Sequence, residues 1–294
     1  MNLTEKYPDI FKVEEFPRIY ELFGSIPVLE YPAETQHKDS LSENILVVND
    51  ESLPELVQPI FSQKAFHVVR KSASLFRLEL IVAGLMILKH ETFYNDPATL
   101  LLKFFKLQQS GDNMQVQRHE IKSTTEAPAV LSALRGVLPV NTGEAQAVEI
   151  GIVLDELISN ALFNAPIDRH KKHLFKGRSR GEDFALPSGH SIIIQMASSP
   201  THLMILVKDS FGSIDAGGLL RRLRQIYSDN EPPTPRVGLG GAGLGLKMVL
   251  DRVESLYLMS VPEKYTFAGA LIPLNKGMKK MFATPKNLHL GLST

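Results

Sequence analysis

Three polar residues, Glu156, Asn160 and Asn164, recur at every fourth position in the middle of this chain. Side chains spaced by four lie on one face of an α-helix, so their polar ends can converge on one ligand. A carboxamide oxygen suits Mg²⁺, which prefers oxygen ligands and shares itself with phosphates. A carboxylate one turn earlier can take a proton from an attacking hydroxyl. The spacing favours Asn160 as a metal ligand and Glu156 as a general base. The alternative is that both residues only lie on the exposed face of a surface helix.

The helix that must carry these residues is indicated by the apolar pattern from Val148 to Ala165. Its apolar side chains follow the i, i+3, i+4, i+7 recurrence of a helix that packs one stripe into a core: Ile150, Val153, Leu154, Leu157 and Ala161. The polar residues then lie on a neighbouring face. We therefore predict one amphipathic helix over this segment.

A second candidate is Asp209, which follows the apolar run from His202 to Lys208. Another apolar run, from Ser191 to Ala197, precedes it, and the polar, proline-containing break between the two runs predicts a β-hairpin. We expect the Asp209 carboxylate to face outward, where it can accept a hydrogen bond from the exocyclic amine of adenine. An Asx turn at the strand end is the alternative.

A third candidate is the glycine cluster from Gly238 to Gly245, which runs directly into the helix-permissive segment Leu244 to Leu250. Free backbone N–H groups and the positive end of the helix dipole favour phosphate, and glycine lets the main chain approach it closely. The cluster also matches the dinucleotide fingerprint Gly-x-Gly-x-x-Gly, but the prolines before it forbid the buried strand which that motif requires. A Walker phosphate loop is excluded because the chain contains no Gly-Lys-Ser/Thr tripeptide.

The order of these motifs resembles the Bergerat-fold ATPases, which include gyrase, heat-shock chaperone, histidine-kinase and mismatch-repair ATPases. The resemblance rests on Glu156-x-x-x-Asn160-Ala161, a hairpin ending in Asp209, a short lid and Gly241-Ala-Gly-Leu-Gly-Leu, and it extends roughly from Met114 to Pro273. The compact size is most similar to anti-sigma-factor serine kinases. The implied fold is an α+β two-layer sandwich that holds ATP and Mg²⁺, with an additional small N-terminal α/β domain.

By this resemblance, Glu156 is the catalytic base and Asn160 the Mg²⁺ ligand. The residues that it implies around the nucleotide are Asn160, Asp209, Gly241, Gly243, Gly245 and Thr266, of which Thr266 resembles a threonine on a late strand that supports the adenine-binding acid. We further expect contacts from Asn164, which replaces the basic or aromatic residue common in the family, from Gly212 and Leu244, and from Arg236 to the γ-phosphate in the lid from Ser228 to Gly241. Phe211 and Ser213 stand where the family has glycines, with Gly212 between them.

The chain is predicted to contain three parts. Residues 1–112 form an α/β regulatory or interaction domain, residues 113–275 the ATPase domain, and residues 276–294 a polar tail. The elements expected in the first part are a strand at Asn44–Glu51, a helix at Leu53–Phe61, a strand at Phe66–Val69, and helices at Ser74–His90 and Pro97–Leu107. Residues 108–113 are expected to be a linker.

The resemblance implies an ATP-dependent serine/threonine protein kinase in signal transduction. Its expected partner is a regulatory protein similar to a sigma factor or an anti-sigma antagonist, and a homodimer is possible. Two alternatives remain open: an ATP-gated protein-binding switch without phosphotransfer, and a divergent histidine kinase. His119 lies in Arg118-His-Glu-Ile-Lys, which is similar to a phosphoacceptor box. Too few residues separate His119 from Asn160 in the sequence for the helical hairpin that carries such a box, so we expect His119 to lie on the opening strand of the domain.

Composition limits the other classes of function. The 294 residues include 32 basic and 32 acidic residues, so no general attraction to nucleic acid or to an anionic membrane is indicated. The chain has no cysteine, no signal-peptide core at its start, and no apolar run longer than Leu80–Leu88. These features predict a cytoplasmic protein. Between Arg169 and Arg180 the chain is strongly basic, which suits an acidic partner, the screening of phosphate charge or a solvated loop. His170-x-x-His173 lacks a third ligand for zinc.

Overall fold

The structure is a computed structural model that describes residues 2–7, 23–30, 44–49, 51, 55–56, 66–109, 114–228, 244–274, 277–283 and 286–292. The chain divides into two units. The first comprises Met1–Gln108 together with Pro285–Gly291, and the second comprises Gln109–Thr284 together with Leu292–Thr294. Each unit has strands and helices of its own.

Short, buried strands form the centre of the first unit. Strands β1 (Val28–Glu30), β2 (Ile45–Val48) and β3 (His67–Arg70) pair in parallel in that order. Every residue of β2 and β3 is buried, as expected of parallel strands that are covered on both faces. The strands predicted at Asn44–Glu51 and Phe66–Val69 are confirmed.

The helices described in the first unit are α1 (Leu3–Lys6), α2 (Phe76–Ile87), α3 (Glu91–Asn95) and α4 (Pro97–Gln108). Helix α2 packs against β2 and β3, and both α3 and α4 pack against α2. Every residue of α2 from Leu78 to Met86 is buried, so this helix is part of the core. The helices predicted at Ser74–His90 and Pro97–Leu107 are confirmed.

The end of the chain contains regular structure where the sequence predicted a polar tail. Helix α9 (Met278–Ala283) is followed by β9 (Asn287–Leu292), and all residues of β9 except Leu292 are buried. Strand β9 pairs antiparallel with β3, and Oδ1 of Asn287 accepts a hydrogen bond from the backbone of Arg70 at 2.9 Å. The strand forms because its apolar residues meet β3, a partner that local composition does not reveal.

An antiparallel sheet forms the second unit, with strand order β4-β5-β6-β8-β7. Its strands are β4 (Gln115–Ile121), β5 (Ile192–Ser198), β6 (His202–Asp209), β7 (Ser255–Val261) and β8 (Tyr265–Pro273). Strands β5 and β6 are the predicted hairpin, which is confirmed. His119 lies on β4, so its predicted position on the opening strand is also confirmed.

Helices of the second unit pack on this sheet and on each other. They are a 3₁₀ turn (Thr124–Glu126), α5 (Ala127–Val137), α6 (Glu144–Ser159), a π-helical turn (Asn160–Asn164), α7 (Ala216–Ser228), α8 (Leu244–Arg252) and α9. Helix α5 contacts β4 and β5, and α6 contacts α5, α8 and β6. The predicted amphipathic helix therefore exists as α6 and the π-helical turn that continues it.

The prediction of an α+β two-layer Bergerat sandwich is wrong. Nine strands occur among the described residues, and their pairing is mixed: it is parallel from β1 to β3, and antiparallel between β3 and β9 and along β4-β5-β6-β8-β7. Together with the helices, this mixed arrangement belongs to the α/β class. The prediction failed because β9 and β3 pair across most of the length of the chain, and such a pairing leaves no local period in the sequence.

Among the described residues, no helix is both long enough and apolar enough to cross a membrane. Arg236, Gly241 and Gly243 lie outside the described residues, as do most of the predicted lid and most of the predicted linker.

Candidate functional site

The three residues spaced by four form a hydrogen-bonded ladder at the end of α6. Nδ2 of Asn160 donates to Oε1 of Glu156 at 3.1 Å, and Nδ2 of Asn164 donates to Oδ1 of Asn160 at 2.8 Å. The ladder runs along the π-helical turn, where the backbone N–H of Ala165 donates to the carbonyl of Asn160 at 3.0 Å. Such π-turns are rare and occur frequently at functional sites.

Gly245, in the first turn of α8, lies directly against the carboxylate of Glu156. A Cβ atom added at Gly245 would overlap Oε1 and Cδ of Glu156. A larger residue at position 245 would therefore require the Glu156 side chain or α8 to shift. The structure therefore brings together two predicted site residues that are far apart in the sequence, and it places the start of α8 beside the ladder.

Arg180 closes the exposed side of the same carboxylate. One guanidinium nitrogen of Arg180 lies 2.7 Å from Oε2 of Glu156, and another lies 3.2 Å from Oδ2 of Asp155. The hydrogen bond to Glu156 raises the pKa of Arg180 above its usual range, and the charge of Asp155 adds to this effect. Both oxygens of Glu156 are therefore engaged, one by Asn160 and one by Arg180.

Asp209 is buried, so the prediction that its carboxylate faces outward is wrong. Its Oδ1 accepts hydrogen bonds from the backbone N–H of Phe211 at 2.8 Å and from that of Thr266 at 3.2 Å. The first bond is the Asx turn that the sequence left open as an alternative. The second crosses from β6 to β8, where Asp209 and Thr266 stand opposite each other.

Burial raises the pKa of Asp209 from 3.8 to about 6. The backbone hydrogen bonds from Phe211, Thr266 and Gly212 act in the opposite direction, because they favour the charged form. The Thr266 hydroxyl also lies near enough to lower this pKa, although its oxygen is buried and has no partner within hydrogen-bonding geometry. A buried carboxyl that titrates near neutral pH is typical of functional sites, although structural networks also produce one.

Gly212 fixes the turn that follows Asp209. Its φ is +62°, which favours glycine, and an added Cβ would overlap the carbonyl oxygen of Val261. Phe211, where the resembling family has a glycine, is buried and stacks on the ring of His190 with centroids 4.4 Å apart. Nδ1 of His190 lies 2.9 Å from Oγ of Ser210. The turn after β6 is therefore held by the packing of Phe211 on His190 and by the close approach of Gly212 to Val261.

The two halves of the candidate site lie on elements that are in contact. Strand β6, which carries Asp209, contacts both α6 and the π-helical turn that carries Asn160, and α8 packs against α6. Helix α8 begins at Leu244. The ladder, the buried acid and the start of α8 therefore belong to one packed region of the second unit.

Sequence reasoning named Arg180 only as a member of the basic segment, and it did not single out His190. Arg180 is the last residue of the basic segment, and nothing in its spacing indicates that it reaches back to Glu156. His190 precedes β5 and carries no motif. Among the described residues, no group of three histidine, cysteine or acidic side chains could hold a metal ion. A magnesium site here depends on amide oxygens.

Comparison with protein-family models and with curated protein sequences gave no match for this chain.

Proposed function

We propose that the second unit binds ATP with Mg²⁺ and transfers the γ-phosphoryl group to a serine or threonine of a regulatory protein partner. The observation that carries this proposal is the contact between Gly245 and Glu156. It brings a helix start, which favours phosphate, against a carboxylate that is linked to a candidate metal-binding amide. The sequence resemblance to anti-sigma-factor serine kinases supports the same function.

The donor set of the ladder suits a magnesium ion. Oδ1 of Asn160 accepts one hydrogen bond from Asn164, and a carbonyl oxygen with two lone pairs keeps one for a metal. Asn160 would hold the ion, and Asn164 orients the amide so that its oxygen, rather than its nitrogen, is presented. When bound, Mg²⁺ neutralises charge on the phosphate oxygens and orients them for transfer.

The remaining residues bind the nucleotide or accept the proton. Backbone N–H groups in the first turn of α8 donate to the phosphates, and Asp209 accepts a hydrogen bond from the adenine amine. The partner's hydroxyl oxygen attacks the γ-phosphorus, and the bond between that phosphorus and the bridging oxygen breaks to release ADP. Oε2 of Glu156 takes the proton of the hydroxyl. We assign this reaction to the cytoplasm, a reducing compartment with which a chain without cysteine is compatible.

A second function is favoured by the state of Glu156. Both of its carboxylate oxygens already accept hydrogen bonds, from Asn160 and from Arg180, and only 9% of its side-chain surface is exposed, so this state does not present Glu156 to a hydroxyl of a partner protein. An ATP-gated switch, in which nucleotide occupancy changes a partner-binding surface without phosphoryl transfer, requires no free base.

Calorimetric titration with Mg-ATP tests nucleotide binding. We expect binding by the native protein and at least about tenfold weaker binding by Asn160→Ala, equivalent to about 1.4 kcal/mol. Asn141→Ala is the matched control, because Asn141 is an exposed asparagine of the same unit. No binding of Mg-ATP by the native protein at millimolar concentration would refute both functions.

Transfer from γ-labelled ATP to an array of serine and threonine peptides separates the two functions. A kinase labels peptides, and Glu156→Gln abolishes labelling while the protein still binds nucleotide. Binding of Mg-ATP without labelling of any peptide favours the switch. Acid-labile label that disappears in His119→Ala would instead indicate histidine phosphorylation.

A further inference from the structure

Arg180 occupies the oxygen of Glu156 that the proposed reaction needs. The guanidinium bridges Asp155 and Glu156, and the Glu156 side chain keeps only 9% of its surface exposed, whereas that of Arg180 keeps 58%. The carboxylate is thus enclosed, while the cation that covers it remains open to solvent. A group that enters from solvent meets Arg180 before it meets Glu156.

The loop that carries Arg180 is anchored beyond that residue. The backbone N–H of Thr124 donates to the carbonyl of Phe184 at 3.0 Å, and the backbone N–H of Phe184 donates to Oγ1 of Thr124 at 3.1 Å. Phe184 also stacks on Phe175, with centroids 4.1 Å apart. Because these contacts fix the loop, Arg180 can change partner by rotating its side chain alone.

Charge favours a phosphate as the alternative partner of Arg180. A guanidinium forms bidentate hydrogen bonds with phosphate as readily as with carboxylate. The nearby basic side chains of Arg169, Lys172 and Lys176 are exposed and add to the attraction for an anion. A nucleotide at the start of α8 would therefore compete with Glu156 for Arg180.

We propose that Arg180 is a nucleotide-responsive latch. It pairs with Glu156 in the absence of nucleotide, and it moves to the γ-phosphate when ATP binds. Its departure uncovers Oε2 of Glu156, so that the attacking hydroxyl can reach this oxygen and transfer its proton to it. This inference rests on the proposed function, and it reconciles the engaged carboxylate seen in the structure with a role as a base.

The latch predicts that Arg180 distinguishes ATP from ADP, because only ATP carries the γ-phosphate. Calorimetric titration of the full chain with Mg-ATP and with Mg-ADP should show about tenfold weaker ATP binding in Arg180→Ala, with ADP binding unchanged or tighter. Arg180→Lys should retain part of the preference for ATP, since it keeps the charge but loses the bidentate geometry. A purely structural ion pair would change the affinities for both nucleotides equally.

Arg178→Ala is the matched control, because Arg178 lies in the same loop but its guanidinium sits over Phe175 and Phe184. It should leave the ratio of ATP to ADP affinity unchanged. If Arg180→Ala had the same ratio of ATP to ADP affinity as the native protein, the latch would be overturned and the proposed function would remain intact. Failure of the native protein to bind either nucleotide would overturn both.

A nucleotide-free measurement tests the closed state of the latch. Urea unfolding of Arg180→Ala, Glu156→Gln and the double variant should give non-additive effects, because the two side chains are in contact. Additive effects would show that no latch holds Glu156, and would overturn the inference whatever the nucleotide affinities are.

Discussion

Gly245 touches the carboxylate of Glu156 so closely that no side chain fits between them. The contact joins the first turn of α8 to α6, at a position one turn before the π-helical turn begins at Asn160. Only 7% of the surface of Glu156 is exposed to solvent. Its carboxylate also accepts hydrogen bonds from Asn160 and Arg180. The position of the candidate base is thus set by three contacts from three parts of the chain.

Gly245→Ala should destabilise the protein. The added methyl must displace Glu156 or α8, and overpacking of this kind costs about 1–3 kcal/mol. Alanine is otherwise the better helix former, by roughly 0.5–1 kcal/mol. The measurement is the free energy of urea unfolding followed by circular dichroism.

Gly151→Ala provides the control for helix propensity. Gly151 is a glycine within α6, and an added Cβ there has no neighbour within 4 Å, so this variant should be as stable as the native protein or more stable. Equal stability of the two alanine variants would mean that Gly245 does not press on Glu156.

The pH dependence of stability should carry a contribution from Asp209. Its pKa is higher in the folded protein, about 6, than the ordinary value of 3.8, so the folded state binds the proton more tightly. Protonated Asp209 therefore stabilises the folded state, by on the order of 3 kcal/mol. This stabilisation is fully present below about pH 3.8 and is lost as the pH rises through about 6. Asp209→Asn should remove this loss.

The difference in unfolding free energy between Asp209→Asn and the native protein, measured at pH 4.5 and pH 7.5, checks the sign. The variant should gain stability relative to the native protein at the higher pH. Asp183→Asn, at an exposed position of the same unit, should show no such change. The prediction would be contradicted if the native protein became more stable, relative to Asp209→Asn, when the pH is raised from 4.5 to 7.5.

Thr266→Val should weaken Mg-ATP binding while leaving the free energy of unfolding nearly unchanged. The Thr266 hydroxyl is buried without a hydrogen-bond partner in good geometry, so its removal should change the unfolding free energy little. If the site binds adenine beside Asp209, loss of the hydroxyl should weaken Mg-ATP binding about tenfold. Ser260→Ala is a matched control, because Ser260 stands opposite Thr266 and its hydroxyl is also buried without a partner. Equal ATP affinities in the two variants would remove Thr266 from the site.

In the first unit, His67 should cause a loss of stability in acid. Burial lowers its pKa well below 6.5, and the neighbouring His289 lowers it further. The unfolded chain therefore takes up a proton that the folded chain resists, so stability is lost as the pH falls below about 6.5. Neither ring nitrogen of His67 has a hydrogen-bond partner. His67→Phe should then reduce the acid-induced loss between pH 7.5 and pH 5, as measured by urea unfolding, whereas the exposed His170→Gln should not.

The sequence predicted the local elements well because they depend on local periodicity. The apolar stripe around Leu154 predicted α6, and the apolar runs on both sides of the Ser198–Thr201 break predicted the β5–β6 hairpin. The four-residue spacing also predicted that Glu156, Asn160 and Asn164 share one face, and the structure joins them by hydrogen bonds. The sequence contained no sign of the π-helical turn.

The pairing of strands that are far apart in the sequence could not be predicted from local sequence patterns. Strand β9 was predicted as part of a tail, because its buried character depends on β3, which lies near the other end of the chain. The α+β sandwich was wrong for the same reason. Asp209 was expected to face solvent, but it is buried and hydrogen-bonded to Thr266 on β8, a strand that is far from Asp209 in the sequence.

The sequence by itself determined which residue types carry chemistry and which helices and strands hold them, because side-chain type and periodicity are properties of neighbouring residues. Only the tertiary structure decided that Gly245 presses on Glu156, that Arg180 covers that carboxylate, and that burial shifts the titration of Asp209. Each of these depends on contacts between segments that the chain brings together only when it folds, and desolvation exists only once those segments exclude water.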